Sequence, residues 1–153
     1  MEKTIEELIE QLNNQDTFAV EEAMAMLQMK GEEAIEPLIN ALDSRKKDIR
    51  LNAIKLLGMS KNPIVIEPLI GALKDSNKLV RREASTALSQ MEDAVDPLIE
   101  LLNDADWKVR GAAAWALGNL KDAKAIEPLE KLLEDESGFV KAGAKNALAE
   151  LKK

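Results

Sequence analysis

The tetrapeptide Ile-Glu-Pro-Leu begins at Ile35, Ile66 and Ile126, with Val-Asp-Pro-Leu at Val95 and a degenerate Ile-Glu-Glu-Leu at Ile5. The intervals are 30, 31, 29 and 31 residues, and periods of this size mark stacked repeats rather than a single closed core. Five units, 5–34, 35–65, 66–94, 95–125 and 126–153, leave no linker, so 1–153 reads as one repeat domain. With the first residue of each unit counted as zero, offset 3 is Leu8, Leu38, Leu69, Leu98 and Leu129. Offset 7 is Leu12, Leu42, Leu73, Leu102 and Leu133, offset 18 is Ala23, Ala53, Ala84, Ala113 and Ala144, and offset 22 is Leu27, Leu57, Leu88, Leu117 and Leu148.

Each unit carries two apolar stripes at helical spacing, over offsets 0, 3, 4 and 7 and over offsets 14, 18, 21, 22 and 25. A polar break between them, such as Lys-Asp-Ser-Asn at Lys74 or Asn-Asp-Ala-Asp at Asn103, reads as a tight turn. The predicted class is all-α: an α-solenoid of five helix–turn–helix units, each burying its stripe only against its neighbours. Pro37, Pro68, Pro97 and Pro128 recur at offset 2. Asn62 and Asp122 mark upstream helix starts, which would put Pro68 and Pro128 past the first turn and kink their helices. A later start, with Pro near the first helical residue, is the alternative. Either way the first helix of each unit is short or bent.

Composition narrows the chemistry. The 153 residues contain no His, Cys or Tyr. That removes the commonest general base and metal ligand, all thiol chemistry and any disulfide, so neither a catalytic constellation nor a cofactor or metal site is expected. A net charge of −7 opposes wholesale phosphate binding. No apolar run reaches membrane-spanning length, and the acidic, amphipathic start Met-Glu-Lys-Thr-Ile-Glu-Glu-Leu is unlike a secretory signal. A soluble cytoplasmic protein is expected. Thr4 followed by Glu7 predicts a capping box. Met24, Met26, Met29 and Met91 read as core filler.

The Ile-Glu-Pro-Leu starts, with Val-Arg-Arg-Glu-Ala-Ser-Thr-Ala-Leu from Val80 and Val-Arg-Gly-Ala-Ala-Ala-Trp-Ala-Leu-Gly from Val109, resemble the short HEAT-like repeats of phycobilisome-lyase-type proteins and small prokaryotic solenoids. The likeness is close in units two to five and weak in unit one. It implies a right-handed superhelical stack with the second helices lining the concave face. It also implies a ladder in which a turn Asp and an Arg opening the second helix tie neighbouring repeats. Asp75, Arg81, Asp104, Arg110, Asp135 and Lys141 fill that pattern in units three to five. Ser44 departs from it in unit two, and Asn14 and Val20 in unit one. Glu130 and Lys145 turn charged only in the last unit and are expected to face a missing sixth repeat. A monomer is expected, with weak dimerisation left open.

At 100° per residue, offsets 13, 16 and 20 of the second helix lie opposite its core stripe and 12, 23 and 24 flank it. The candidate surface is therefore Leu51, Lys55, Met59, Lys78, Leu79, Arg82, Thr86, Gln90, Trp107, Lys108, Gly111, Trp115, Asn119 and Phe139. Lys47, Lys55, Lys78, Arg82 and Lys108 outnumber Asp48 and Glu83 there, while unit one contributes Glu21 and Glu22. Gly111 clears room for the Trp115 indole or for a ligand backbone, and Arg82 is positioned to stack on Trp115. Each Trp has a structural alternative: Trp107 covering the turn between repeats, Trp115 filling a groove. Three functions remain: a non-catalytic scaffold gripping a protein segment on the concave face; a bilin lyase or lyase-chaperone subunit, implied by the resemblance; and a nucleic-acid-binding solenoid, opposed by the net charge. HEAT-like iron hydroxylases need His–Glu ligand pairs, and this chain has no His to supply them.

Overall fold

The computed structural model describes residues 2–153. Their α-helices fall into five pairs: α1 (Ile5–Gln11) with α2 (Thr17–Lys30), α3 (Ile35–Ala41) with α4 (Lys47–Ser60), α5 (Ile66–Ala72) with α6 (Lys78–Leu88), α7 (Val95–Leu101) with α8 (Trp107–Leu120), and α9 (Ile126–Lys131) with α10 (Gly138–Leu151). No strand occurs among the described residues. The second helix of each pair stacks on the second helix of the next, and each first helix packs against the second helix of its own repeat. The chain is therefore a two-layer helical solenoid.

The prolines stand in the first turn of their helices. In repeats two to five a short 3-10 turn precedes the first α-helix, as in Pro63–Val65 and Ala123–Ala125. The predicted starts at Asn62 and Asp122 cap these turns, accepting from the Ile64 N–H at 3.1 Å and the Lys124 N–H at 2.9 Å. The α-helix proper begins at Ile66 or Ile126, so the Pro is its third residue. The first four helical N–H groups have no partner within the helix, so the one that proline lacks leaves no gap. Repeat one starts instead with the predicted capping box: the Glu7 N–H donates to Thr4 Oγ1 at 3.1 Å and the Thr4 N–H to the Glu7 carboxylate at 3.0 Å. The hydrogen bond from the Thr4 backbone holds the Glu7 carboxyl below its ordinary pKa.

The predicted leucine and alanine columns form the core. Offsets 3, 18 and 22 are buried in all five repeats. At offset 7 the pattern slips once. Leu133 is exposed, because α9 tightens into a 3-10 turn at Leu132–Glu134 and turns Leu132 inward in its place. Met91 is buried as expected, but Met29 is 87% exposed and fills no core. Glu130 and Lys145 are both exposed on the last repeat, where their counterparts in earlier repeats are buried or half-buried.

The turn residue at offset 9 does the same work in every repeat. Asn14, Ser44, Asp75, Asp104 and Asp135 each accept a hydrogen bond from the backbone N–H two residues on, at 2.8–3.2 Å. The Ser and Asn that break the expected Asp pattern thus keep its turn-forming role.

The seams between repeats are of two kinds. At seam two–three, Arg50 grips Asp75 through two bonds of 2.8 and 3.2 Å. At seam four–five, Arg110 grips Asp135 at 2.8 and 3.1 Å. The ladder therefore runs from the Arg of one repeat to the Asp of the next, and Arg50 of repeat two belongs to it despite Ser44. Arg81 does not: it donates to the carbonyls of Asp75 and Ser76 at 2.8 and 3.1 Å, and Asp104 pairs with Lys74 at 3.4 Å. Lys141 forms no ion pair among the described residues. The two laddered seams also share a close helix approach. A Cβ on Gly58 would lie 2.8 Å from Cβ of Ala87, and one on Gly118 2.8 Å from Cα of Ala147. Gln28 and Ser89 hold the Gly position in repeats one and three. There Asn52 Nδ2 donates across the seam to the Leu12 carbonyl at 3.1 Å and the exposed Lys46 Nζ to Glu10 at 3.2 Å, and Ser85 Oγ donates to the Ala112 carbonyl at 3.0 Å.

Candidate binding surface

The first turn of a second helix leaves backbone N–H groups free, and side-chain caps satisfy part of them. Asp16, Asn77, Asp106 and Ser137 do so for α2, α6, α8 and α10, while Lys46 leaves α4 without a side-chain cap. In the first turns of α4, α6 and α8 stand Lys47, Lys78 and Lys108, all exposed. A cation in a first turn opposes the helix macrodipole, at a cost of roughly 0.3–1 kcal/mol each. These lysines are not there to stabilise their helices.

Of the predicted surface residues, Lys55, Met59, Lys78, Leu79, Arg82, Gln90, Trp107, Lys108, Trp115, Asn119 and Phe139 are exposed on the second-helix layer. Leu51 is half-buried and packs against the core. Thr86 is half-buried, its hydroxyl donating to the Arg82 carbonyl at 3.0 Å. Asn119 donates to the Trp115 carbonyl at 3.0 Å.

Gly111 is buried rather than part of the surface. The space a side chain would need there is filled by the Phe139 ring of the next repeat, 2.7 Å from where a Cβ would stand. That ring also meets Trp107 edge-on, with centroids 5.4 Å apart at 75°. Gly111 thus accommodates Phe139, not the Trp115 indole. Nor does Arg82 stack on Trp115; the cation–π contact is Lys108 over Trp107 at 5.8 Å. Trp115 stays 48% exposed, Trp107 45% and Phe139 64%. They put three exposed aromatic side chains on repeats four and five, with Trp107 and Phe139 packed together and Trp115 two turns further along α8.

Charge is divided between the two layers. The five first helices carry nine carboxylates and a single base, Lys131. The second helices of repeats two to five carry ten bases against Asp48, Glu83 and Glu150. Arg50 and Arg110 are spent on the ladder, where the Arg110 hydrogen bond holds the Asp135 carboxyl below its ordinary range. Lys47, Lys55, Lys78, Arg82 and Lys108 form no ion pair among the described residues. Sequence reasoning found the cations but not the polarity of the layers, which emerges only by summing charge helix by helix.

Clefts of about 470–480 Å³ follow seams one–two and two–three, the first lined by Leu27, Gln28, Leu56 and Met59. A wider one of about 950 Å³ lies between repeats four and five around Asp104, Arg110, Lys124 and Asp135. No group of acidic residues among those described is arranged to hold a metal ion, and no helix among them is long and apolar enough to cross a membrane.

The pattern of HEAT repeats matches residues 35–96 and 66–149. The chain belongs to the HEAT repeat family. Its fold is similar to that in the complex of CpcE and CpcF of phycocyanin lyase from Nostoc sp. PCC7120, with 24% identity, a TM-score of 0.66, and 94% of this chain and 96% of the other covered. It is also similar to human deoxyhypusine hydroxylase, with 21% identity, a TM-score of 0.65, and 97% of this chain covering 62% of that one. An engineered protein matches at 24% identity with a TM-score of 0.50, over 97% of this chain and 79% of its own. No curated protein matches in sequence. At these identities the likenesses establish the HEAT solenoid fold.

Proposed function

We propose that this HEAT solenoid is a non-catalytic scaffold whose second-helix layer holds a segment of a partner protein. The observation that carries the reading is the coincidence on one layer of exposed aromatic side chains, Trp107, Trp115 and Phe139, with cations that form no ion pair among the described residues. Trp and Arg are the residue types most often found at interaction hot spots, and exposed apolar groups gathered on one face mark interaction sites. The absence of His, Cys and Tyr leaves catalysis without its usual groups. The test is affinity purification with the wild-type chain beside Trp115→Ala/Arg82→Glu. A partner held by the first and lost by the second supports the reading; a variant that keeps every partner ends it.

A second reading, a bilin lyase-like or lyase-chaperone subunit, draws on the likeness to the CpcE–CpcF complex over nearly the whole of both chains. Added bilin would then change its absorbance and quench the two tryptophans; no change at high micromolar bilin removes this reading.

A further inference from the structure

The cations on the second-helix layer are spaced by the repeat. One exposed lysine stands in the first turn of each of α4, α6 and α8: Lys47 and Lys78 are the first residue of their helices, and Lys108 is the second of α8, next to Trp107. Packed helices lie about 8–10 Å apart, so a chain crossing this layer meets a new lysine at about that interval. An extended β-strand brings a side chain back to the same face every two residues, about 6.6 Å on, and falls out of step. A polyproline II helix returns to the same face every three residues, about 9.3 Å on, and stays in step. It also needs no edge to pair with, and this layer offers only helices. Aromatic side chains are the surfaces on which such segments dock, and the row ends beside Trp107 and Trp115.

We infer, resting on the scaffold reading above, that the partner segment is a proline-rich acidic stretch in the polyproline II conformation, with Asp or Glu at every third residue. Charge selects the sign: Lys47, Lys55, Lys78, Arg82 and Lys108 have no ion-pair partner among the described residues, against Asp48 and Glu83 on the same face. Nucleic acid is also anionic, but its affinity grows with the number of phosphates neutralised. Here Leu79 and the tryptophans interrupt the cations, and Glu21 and Glu22 close the row at repeat one. A short acidic peptide fits such a face better than a continuous polyanion.

The two tryptophans, both exposed, report binding directly. The probes are a peptide of four Glu-Pro-Pro triplets, the same residues with all Glu contiguous, the Lys-Pro-Pro counterpart, and oligodeoxythymidine, each titrated by tryptophan fluorescence. The Glu triplet peptide is expected to bind at least tenfold more tightly than the contiguous one and to weaken as salt screens the exposed charges. Lys47→Glu/Lys78→Glu/Lys108→Glu should weaken binding about threefold or more, since three exposed pairs are lost. The triple variant should fold, since a carboxylate suits a helix first turn better than a lysine; circular dichroism checks this. Equal binding of the contiguous peptide overturns the spacing, and equal binding of the Lys peptide overturns the charge. Tighter binding of oligodeoxythymidine overturns the protein partner itself. If no peptide binds while a native partner is still captured by the wild type and lost by Trp115→Ala/Arg82→Glu, this inference falls and the scaffold reading stands.

Discussion

Seam four–five and seam three–four join repeats of the same family by different means. At four–five, Gly118 lets α8 and α10 approach closely over Ala147, and Arg110 binds Asp135 with both ends of its guanidinium. At three–four, Ser89 replaces the glycine, Arg81 turns back to carbonyls of its own repeat, and Ser85 supplies a hydrogen bond across the seam. Helix α6 ends at Leu88, and Ser89, Gln90 and Met91, none of them left-handed, lead to the next 3-10 turn at Glu92–Ala94. By contrast α4 and α8 run to Ser60 and Leu120, each followed by a lysine in the left-handed region, Lys61 at φ 52° and Lys121 at φ 56°. Seam two–three repeats the four–five arrangement residue for residue: Arg50 and Arg110, Gly58 and Gly118, Asp75 and Asp135, and Ala87 and Ala147 stand the same sixty residues apart. The lesson is that a repeat of about 30 residues is assembled here as tight pairs, two with three and four with five, meeting at a seam with fewer constraints.

The largest test of this contrast is Gly118→Ala. The added methyl would sit 2.8 Å from Cα of Ala147, and overpacking against backbone should cost about 1–3 kcal/mol in urea unfolding. Ser89→Ala, at the matching position of repeat three, should change stability by less than about 0.5 kcal/mol. Equal losses would erase the distinction between the seams. Next, Arg110→Ala should lower the melting temperature by several degrees and Arg81→Ala by clearly less, since only Arg110 reaches across to a carboxylate. Ser85→Ala removes the cross-seam hydrogen bond to the Ala112 carbonyl and should cost about 1 kcal/mol. Hydrogen exchange should then rise in α6 and α8 while α10 keeps its protection.

Acid sharpens the same contrast. Arg110 lowers the folded-state pKa of Asp135, so this pair contributes its full stability above the unfolded carboxyl value of about 3.9. The contribution is lost as pH falls through the lower folded value. Asp135→Asn should therefore flatten the acid limb of the stability curve, measured by melting between neutral pH and that limb. The smallest effect is a gain: a Cβ on Gly143, within α10, meets nothing within 4 Å. Gly143→Ala should therefore add about 0.5–1 kcal/mol from helix propensity.

Much of this architecture is legible in the sequence because a repeat writes each rule five times. The Leu and Ala columns, the short first helix and the Thr4–Glu7 box depend on local spacing and survive translation into structure. The failures are cross-repeat. Gly111 reads as space for its own helix neighbour Trp115, yet its occupant is Phe139, a residue of the next unit. Arg81 fits the ladder by offset, but repeat three is shorter than its neighbours and the cross-seam bond is not made. Leu133 keeps its place in the count and loses it in space when α9 tightens. The exposure of Trp115 followed from helix phase alone. The pairing of Trp107 with Phe139 needed two helices at a known separation.

The division of charge between layers has a kinetic consequence. Judged by its net charge of −7, the molecule should repel an anionic partner at every encounter. A field set up by acidic first helices on one side and the basic second helices of repeats two to five on the other instead exerts a torque. An approaching acidic chain would be turned toward the basic side and pushed away from the other. Electrostatic guidance of this sort raises association rates by about tenfold to a thousandfold and fades as ionic strength rises. The solenoid is therefore built to be met from one direction.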